Sequence, residues 1–170
     1  DVKLWERAFS TTLSRNGQWF AYARQPNEGD VTLIIKQTRG KKTYTIPCGR
    51  GSGGFDFSRD NKYLAYRVAA KKGAKPGSKV VLLQLESGKK VDFPNARSSA
   101  FSGDSSKWIA VQLNAPPTRP KGDAGWRGTD LILRNLSTGQ QLTQGNVSSY
   151  RFNKTGQWLA MTIDSVGKAA

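Results

Sequence analysis

The stretch LSRNGQWFA at residues 13–21 decides the fold, because versions of it return three more times along the chain. They read FSRDNKYLA at 57–65, FSGDSSKWIA at 101–110 and FNKTGQWLA at 152–160. The alanines that end the four phrases stand 44, 45 and 50 residues apart. A fixed period of that size is typical of folds built from copies of one supersecondary unit. The chain of 170 residues is therefore predicted to be a repeat protein.

Each copy of the phrase lies inside the same pattern of strands and turns. A short strand precedes a turn rich in Asn, Asp, Gly and Ser, residues that tolerate the positive φ of tight hairpins. Three further strands follow, and the third is the most apolar, as in residues 31–37 and 79–85. Apolar residues fall on both faces of these strands, as expected when a sheet is covered on both sides. Helix periodicity is absent, so little or no helix is expected.

Four short antiparallel strands per repeat are typical of the blade of a β-propeller. The predicted fold class is therefore all-β, a partial β-propeller with about three and a half four-stranded antiparallel blades. Within residues 1–170 the blades are predicted at about 9–48, 54–96 and 98–146, with a half blade at 149–165. Propellers close with about four to eight blades. We therefore expect a fragment, completed by further sequence or by self-association through its open blade faces.

The chain carries a formal net charge of +15, from 27 basic and 12 acidic residues. Such a balance favours acidic partners, among them nucleic acid, anionic lipid and acidic protein surfaces. The alternative is that the positive charge lies on solvated hairpin tips and keeps a β-rich protein soluble. The basic residues cluster at 39–42, 71–79 and 89–90, in predicted tips and connecting loops.

Aromatic residues hold one position in every repeat, which indicates a place in the core rather than a platform for stacking bases. This pattern disfavours nucleic acid as a partner. No apolar stretch approaches the roughly 20 residues of a membrane-spanning helix, so no membrane span is predicted. The aromatic residues are Trp19, Tyr63, Trp108 and Trp158.

The chain contains no histidine and a single cysteine, Cys48. Without histidine, a Ser-His-Asp or Cys-His nucleophilic system and a His-ligated zinc site are excluded. One cysteine allows neither an internal disulfide nor a thiolate metal cluster. We predict no catalytic, cofactor-binding or metal-binding residue in this chain.

Three further motifs are interpreted as structural. The glycines at 49–54 have dinucleotide-binding spacing, but the next segment reads as a strand where that motif needs a helix. They are predicted to form a crossover between blades. No serine lies in a Gly-x-Ser-x-Gly elbow, and the aspartates lack the spacing of a calcium loop. These candidates, interpreted as structural, are Ser52, Ser102, Ser106, Asp56, Asp60, Asp104 and Asp130, and those within the repeated phrase are predicted to form its turns.

The repeated phrase resembles the blade repeat of TolB-like proteins, dipeptidyl peptidases and the prolyl oligopeptidase family. Longer stretches narrow the match. The residues at 5–6 and 13–22 look like the N-terminal start of bacterial prolyl-oligopeptidase-like serine peptidases. Those at 127–134, 145–147 and 158–164 are similar to blades of the same group. The resemblance covers nearly the whole chain.

This resemblance implies a non-catalytic N-terminal propeller that covers a C-terminal α/β-hydrolase domain with catalytic Ser, Asp and His. That domain is absent here, so no catalytic residue is assigned. The implied role is that of a lid and size filter for peptide substrates. The implied partners are the catalytic domain and the remaining blades. A basic rim with Lys71, Lys72 and Lys75 would favour the entry of acidic peptides.

Two alternatives stay open. One is a stand-alone module in which two copies complete one ring and bind a protein partner through their loops. The other is a TolB-like periplasmic scaffold. A periplasmic or secreted location is favoured over a cytoplasmic one.

Overall fold

The computed structural model describes residues 5–50, 54–70, 77–115 and 128–164, and within these ranges it contains thirteen β-strands and one 3-10 turn at Gly103–Ser105. The strands are β1 (Glu6–Leu13), β2 (Trp19–Pro26), β3 (Val31–Gln37), β4 (Thr43–Gly49), β5 (Phe55–Phe57), β6 (Tyr63–Val68), β7 (Lys79–Gln84), β8 (Lys90–Phe93), β9 (Ala96–Phe101), β10 (Trp108–Leu113), β11 (Thr129–Asn135), β12 (Gln141–Phe152) and β13 (Leu159–Ile163).

The strands form three antiparallel sheets, ordered β1-β2-β3-β4, β5-β6-β7-β8 and β13-β12-β11-β10-β9. The chain divides into two compact units. The first unit, Asp1–Asn95, holds the two four-stranded sheets, and the second unit, Ala96–Ala170, holds the five-stranded sheet. In each sheet, strands that follow one another along the chain are neighbours, which is the meander expected of propeller blades.

The repeated phrase forms the turn between the first and second strands of each predicted blade. A side-chain oxygen in the turn accepts a hydrogen bond from the backbone N–H of the following aromatic residue. The bond measures 2.9 Å to Ser14, 2.9 Å to Ser58 and 3.0 Å to Ser102. In the fourth copy Asn153 replaces the serine and accepts the bond at 3.1 Å. Local side-chain bonding of this kind compensates backbone groups that the hairpin leaves unpaired.

The two sheets of the first unit share one apolar core. Alternate residues of β2 and β3, such as Trp19 and Leu33, pack in one cluster with Leu64 and Leu83 from β6 and β7. The Trp19 ring stacks on that of Tyr44, with 6.0 Å between centroids. Burying a side chain of this size contributes about 1.5–3 kcal/mol. The aromatic residue of the first copy of the phrase, Trp19, is therefore buried, as predicted.

The five-stranded sheet of the second unit has a smaller buried core. Ala110, Leu131 and Val147 are fully buried, and side chains such as Phe152 and Met161 are only partly buried against them. The prediction that the repeated aromatic residue is core is wrong for Trp158, whose side chain is 75% exposed. Trp158 is not among the side chains that pack on the buried cluster of this sheet. Among the described residues the second unit holds a single sheet, so Trp158 has no facing sheet of the kind that buries Trp19.

β12 runs from the predicted third blade at 98–146 into the predicted half blade at 149–165. Its first residues pair with β11, up to Val147 opposite Thr129, and its later residues pair with β13. The strand turns at Asn146, whose φ is +59°. The fourth strand of the predicted third blade thus continues into the first strand of the predicted half blade at 149–165. The blade boundaries themselves stay a prediction.

Candidate binding surfaces

The serines considered as nucleophiles and interpreted as structural are turn residues where the structure describes them. Ser102 is fully buried, and its Oγ lies 3.0 Å from Ser105 Oγ and 3.0 Å from the backbone nitrogen of Trp108. Ser106 has a φ of +44° and closes the adjoining 3-10 turn. Ser52 lies outside the described residues. The hydrogen bonds of Ser102 Oγ therefore stabilise the hairpin turn.

The glycine-rich segment at 49–54 connects two sheets. Gly49 ends β4 with a φ of +79°, and Gly54 immediately precedes β5, which is a strand. A dinucleotide fingerprint needs a helix N-terminus at this point to hold the pyrophosphate. The segment is therefore a crossover between sheets; residues 51–53 lie outside the described part.

The aspartates of the phrase are also structural. Asp60 Oδ1 accepts hydrogen bonds from Ser58 Oγ at 2.6 Å and from the Lys62 backbone nitrogen at 3.2 Å. Partial burial raises the pKa of the Asp56 carboxyl in β5, opposed by a backbone hydrogen bond from Phe57. Among the described residues, no three His, Cys, Asp or Glu side chains are grouped to hold a metal ion.

A polar cleft of about 620 Å³ opens at one end of the first unit. It is lined by the β1–β2 turn at 16–18, the β3–β4 turn at 37–40 and Glu86 of the β7–β8 turn. We call it the rim cleft. Thr38 ties the first two turns together, because its Oγ1 donates a 2.7 Å hydrogen bond to the Gly17 carbonyl.

Polar contacts between described residues join the two sheets of the first unit at this end. The Asn16 backbone nitrogen donates to Asn61 Oδ1 at 3.1 Å. The Tyr44 hydroxyl donates to the Leu85 carbonyl at 2.6 Å. The Lys42 ammonium pairs with the Glu86 carboxylate at 3.4 Å. These polar contacts therefore join the walls of the rim cleft next to the shared apolar core, which includes Leu85 and against which Tyr44 packs.

The second unit exposes an apolar hollow of about 160 Å³. Trp158 and Leu142, which are 75% and 59% exposed, line it together with Trp108 and Leu133. We call it the apolar hollow. Exposed apolar surface of this kind is typical of an interaction site. No sequence signal separates Trp158 from the buried Trp19.

Other predicted features fall outside what the structure describes. The basic loop with Lys71, Lys72 and Lys75 lies outside the described residues. Within the described part of the chain, no helix has the length and apolar character needed to cross a bilayer.

No protein-family model and no curated protein sequence matches this chain. Its structure is similar to solved structures of peptidases. The β-propeller domain of the Trilobed protease from Pyrococcus furiosus, described as having an open velcro topology, matches with a TM-score of 0.54 and 17% identity. That match covers 82% of this chain and 43% of the other.

Two further structures match at a higher TM-score. An acylaminoacyl peptidase in complex with Z-Gly-Gly-Phe-chloromethyl ketone gives 0.62 at 13% identity, over 96% of this chain and 29% of the other. A prolyl endopeptidase matches with a TM-score of 0.60 and 14% identity, and that match covers 92% of this chain and 26% of the other. The chain thus spans less than half the length of these structures. The partial β-propeller fold is confirmed, and so is its resemblance to the propellers of this peptidase group.

Proposed function

We propose that the chain is the non-catalytic propeller segment of a prolyl-oligopeptidase-like serine peptidase. The observation that carries this proposal is the match of its sheets to peptidase structures over 82–96% of its length. The absence of histidine supports a non-catalytic role, because the usual serine-peptidase machinery needs one. The catalytic Ser, Asp and His are supplied by an α/β-hydrolase domain, and further blades complete the ring.

In this role the segment acts as a lid and size filter. A propeller placed over an active site admits short, flexible peptides and sterically excludes folded chains. Selection of this kind uses rigid walls rather than specific contacts. The large apolar side chains buried between the two sheets of the first unit support this role, because closely packed cores deform little.

The proposal is tested on the full-length protein that contains this segment. A fluorophosphonate probe is expected to label that protein and to leave the 170-residue chain unlabelled. Hydrolysis of a short peptide is then compared with hydrolysis of the same cleavage sequence inside a folded protein. We expect kcat/KM to be much lower for the folded substrate than for the short peptide, and to rise again when that substrate is unfolded beforehand.

Two results would contradict the proposal. A full-length protein that resists the probe is not a serine peptidase. One that cleaves folded and unfolded substrates equally well is a peptidase without a size filter.

A second candidate function rests on the apolar hollow. The exposure of Trp158 and Leu142 favours a stand-alone interaction module that completes its ring by pairing with a second copy. The oligomeric state of the 170-residue chain separates this candidate from the first.

A further inference from the structure

We propose that the rim cleft of the first unit is a binding site for an acidic peptide segment, with Arg39 as its principal anchor. The inference goes beyond the function proposed above and concerns the first unit alone.

Charge is the first observation that supports the site. Because the strands form antiparallel meanders, four turns lie at the same end of the two sheets, at residues 14–18, 38–42, 58–62 and 85–89. They carry seven Lys or Arg and two acidic residues, Asp60 and Glu86. A concave surface flanked by charges of one sign concentrates ligands of the opposite sign.

The pairing of these charges is the second observation. Glu86, the acidic residue in the wall of the cleft, is already bound by Lys42 through its carboxylate and its backbone carbonyl. Asp60 accepts bonds from within its own turn. Arg39 lines the cleft, is exposed, and forms no hydrogen bond or ion pair with any residue that the structure describes. Its guanidinium therefore offers a free bidentate site for a carboxylate.

The remaining walls favour a peptide over a nucleic acid. Asn16, Gln18 and Gln37 line the cleft. Their amide oxygens accept hydrogen bonds within the protein, in Gln18 from Asn16 Nδ2 and in Gln37 from the Lys42 backbone nitrogen. The Nε2 groups of Gln18 and Gln37 can therefore donate to the C=O groups of an extended peptide backbone. Among the described residues that line the cleft there is no aromatic side chain. Single-stranded nucleic acids depend on such side chains for stacking. An acidic peptide can therefore use both the charge and the amides of this site.

The test measures binding of fluorescent oligoglutamate, oligoglutamine and oligothymidylate to the 170-residue chain at low salt. We expect oligoglutamate to bind and oligoglutamine not to bind. Arg39→Gln should weaken oligoglutamate binding by about five- to tenfold, and Arg39→Glu by more. Arg39→Lys should restore part of the affinity, because lysine keeps the charge without the planar fork.

The matched control is Arg50→Gln. Arg50 is also exposed and follows β4, at the opposite end of the same sheet. This variant removes the same charge and should change affinity by less than about twofold. All variants should keep the far-UV circular dichroism of the parent, since both positions are solvent-exposed.

Three outcomes would overturn the inference. Equal losses of oligoglutamate affinity in Arg39→Gln and Arg50→Gln would mean that the peptide is attracted by the overall positive charge and not by the cleft. Oligothymidylate binding with the same dependence on Arg39 would mean a general polyanion site. Failure of oligoglutamate to bind at low salt would mean that the cleft takes no acidic peptide.

Discussion

Cys48 lies in the apolar core of the first unit, where its side chain is 1% exposed. Burial raises the pKa of the thiol to about 11, opposed by a backbone hydrogen bond. Reagents such as dithionitrobenzoate react with the thiolate and need access to the sulfur. The native protein should therefore be inert to them, and its reaction rate should follow unfolding.

The same shift predicts how stability depends on pH. An unfolded thiol loses its proton near pH 8.5, whereas the folded one keeps it to about 11. Above pH 8.5 the unfolded state therefore binds fewer protons, and the free energy of unfolding falls as pH rises, by up to about 1.4 kcal/mol per unit. Urea titrations between pH 8 and 10 should show this slope, and Cys48→Ala should reduce it. An unchanged slope in Cys48→Ala would assign the effect to other groups.

The structural role of a single residue can be predicted from sequence when its partners are close to it along the chain. The turn-forming role of Ser58 and Ser102 follows from sequence, because their partners lie within six residues along the chain. The environments of Trp19 and Trp158 differ although their local sequences are alike, because burial depends on which sheet packs beside them. The rim cleft likewise could not be predicted, since turns distant in sequence form its walls.

At the scale of elements, the third strands were the easiest to predict. Residues 31–37 form β3 as expected, because a run of branched apolar residues between two turns favours a β-strand. The course of β12 was harder, because Gly145 and Asn146 resemble a turn that separates two strands. In the structure the strand continues through a left-handed residue and pairs on both sides of it.

The bend of β12 provides a test at this scale. Asn146 has a φ of +59°, a conformation that asparagine tolerates and that costs a β-branched residue about 1–2 kcal/mol. Asn146→Val should therefore lower the free energy of unfolding of the chain by about that amount, whereas Asn146→Gly should be nearly neutral. Chemical denaturation followed by tryptophan fluorescence measures both.

Thr143→Val is the matched control for this bend. It introduces the same side chain at an exposed position of β12 that keeps ordinary strand geometry. Its effect should stay within about 0.5 kcal/mol. If both valine variants destabilised the protein equally, the left-handed conformation of Asn146 would not be the cause.

At the scale of the whole chain, two properties act against each other in self-association. The apolar hollow favours contact, because burying a tryptophan removes about 150–250 Å² from water. That is well below the roughly 800 Å² per partner of a stable interface. The net charge of +15 opposes the approach of a second copy. We therefore expect weak association that grows with protein concentration and with salt.

Trp158→Ser tests whether this association uses the apolar hollow. Sedimentation velocity of the 170-residue chain in sodium sulfate should show a mass that rises with concentration, because sulfate screens the charge and strengthens apolar burial. Trp158→Ser should abolish the rise. Trp5→Ser, which removes a side chain 70% exposed in the first unit, should preserve it. If the parent chain stays monomeric at high concentration and high sulfate, a second copy does not cover the hollow. A further blade of the same polypeptide then becomes the better candidate, because a covalently linked neighbour loses far less entropy on docking.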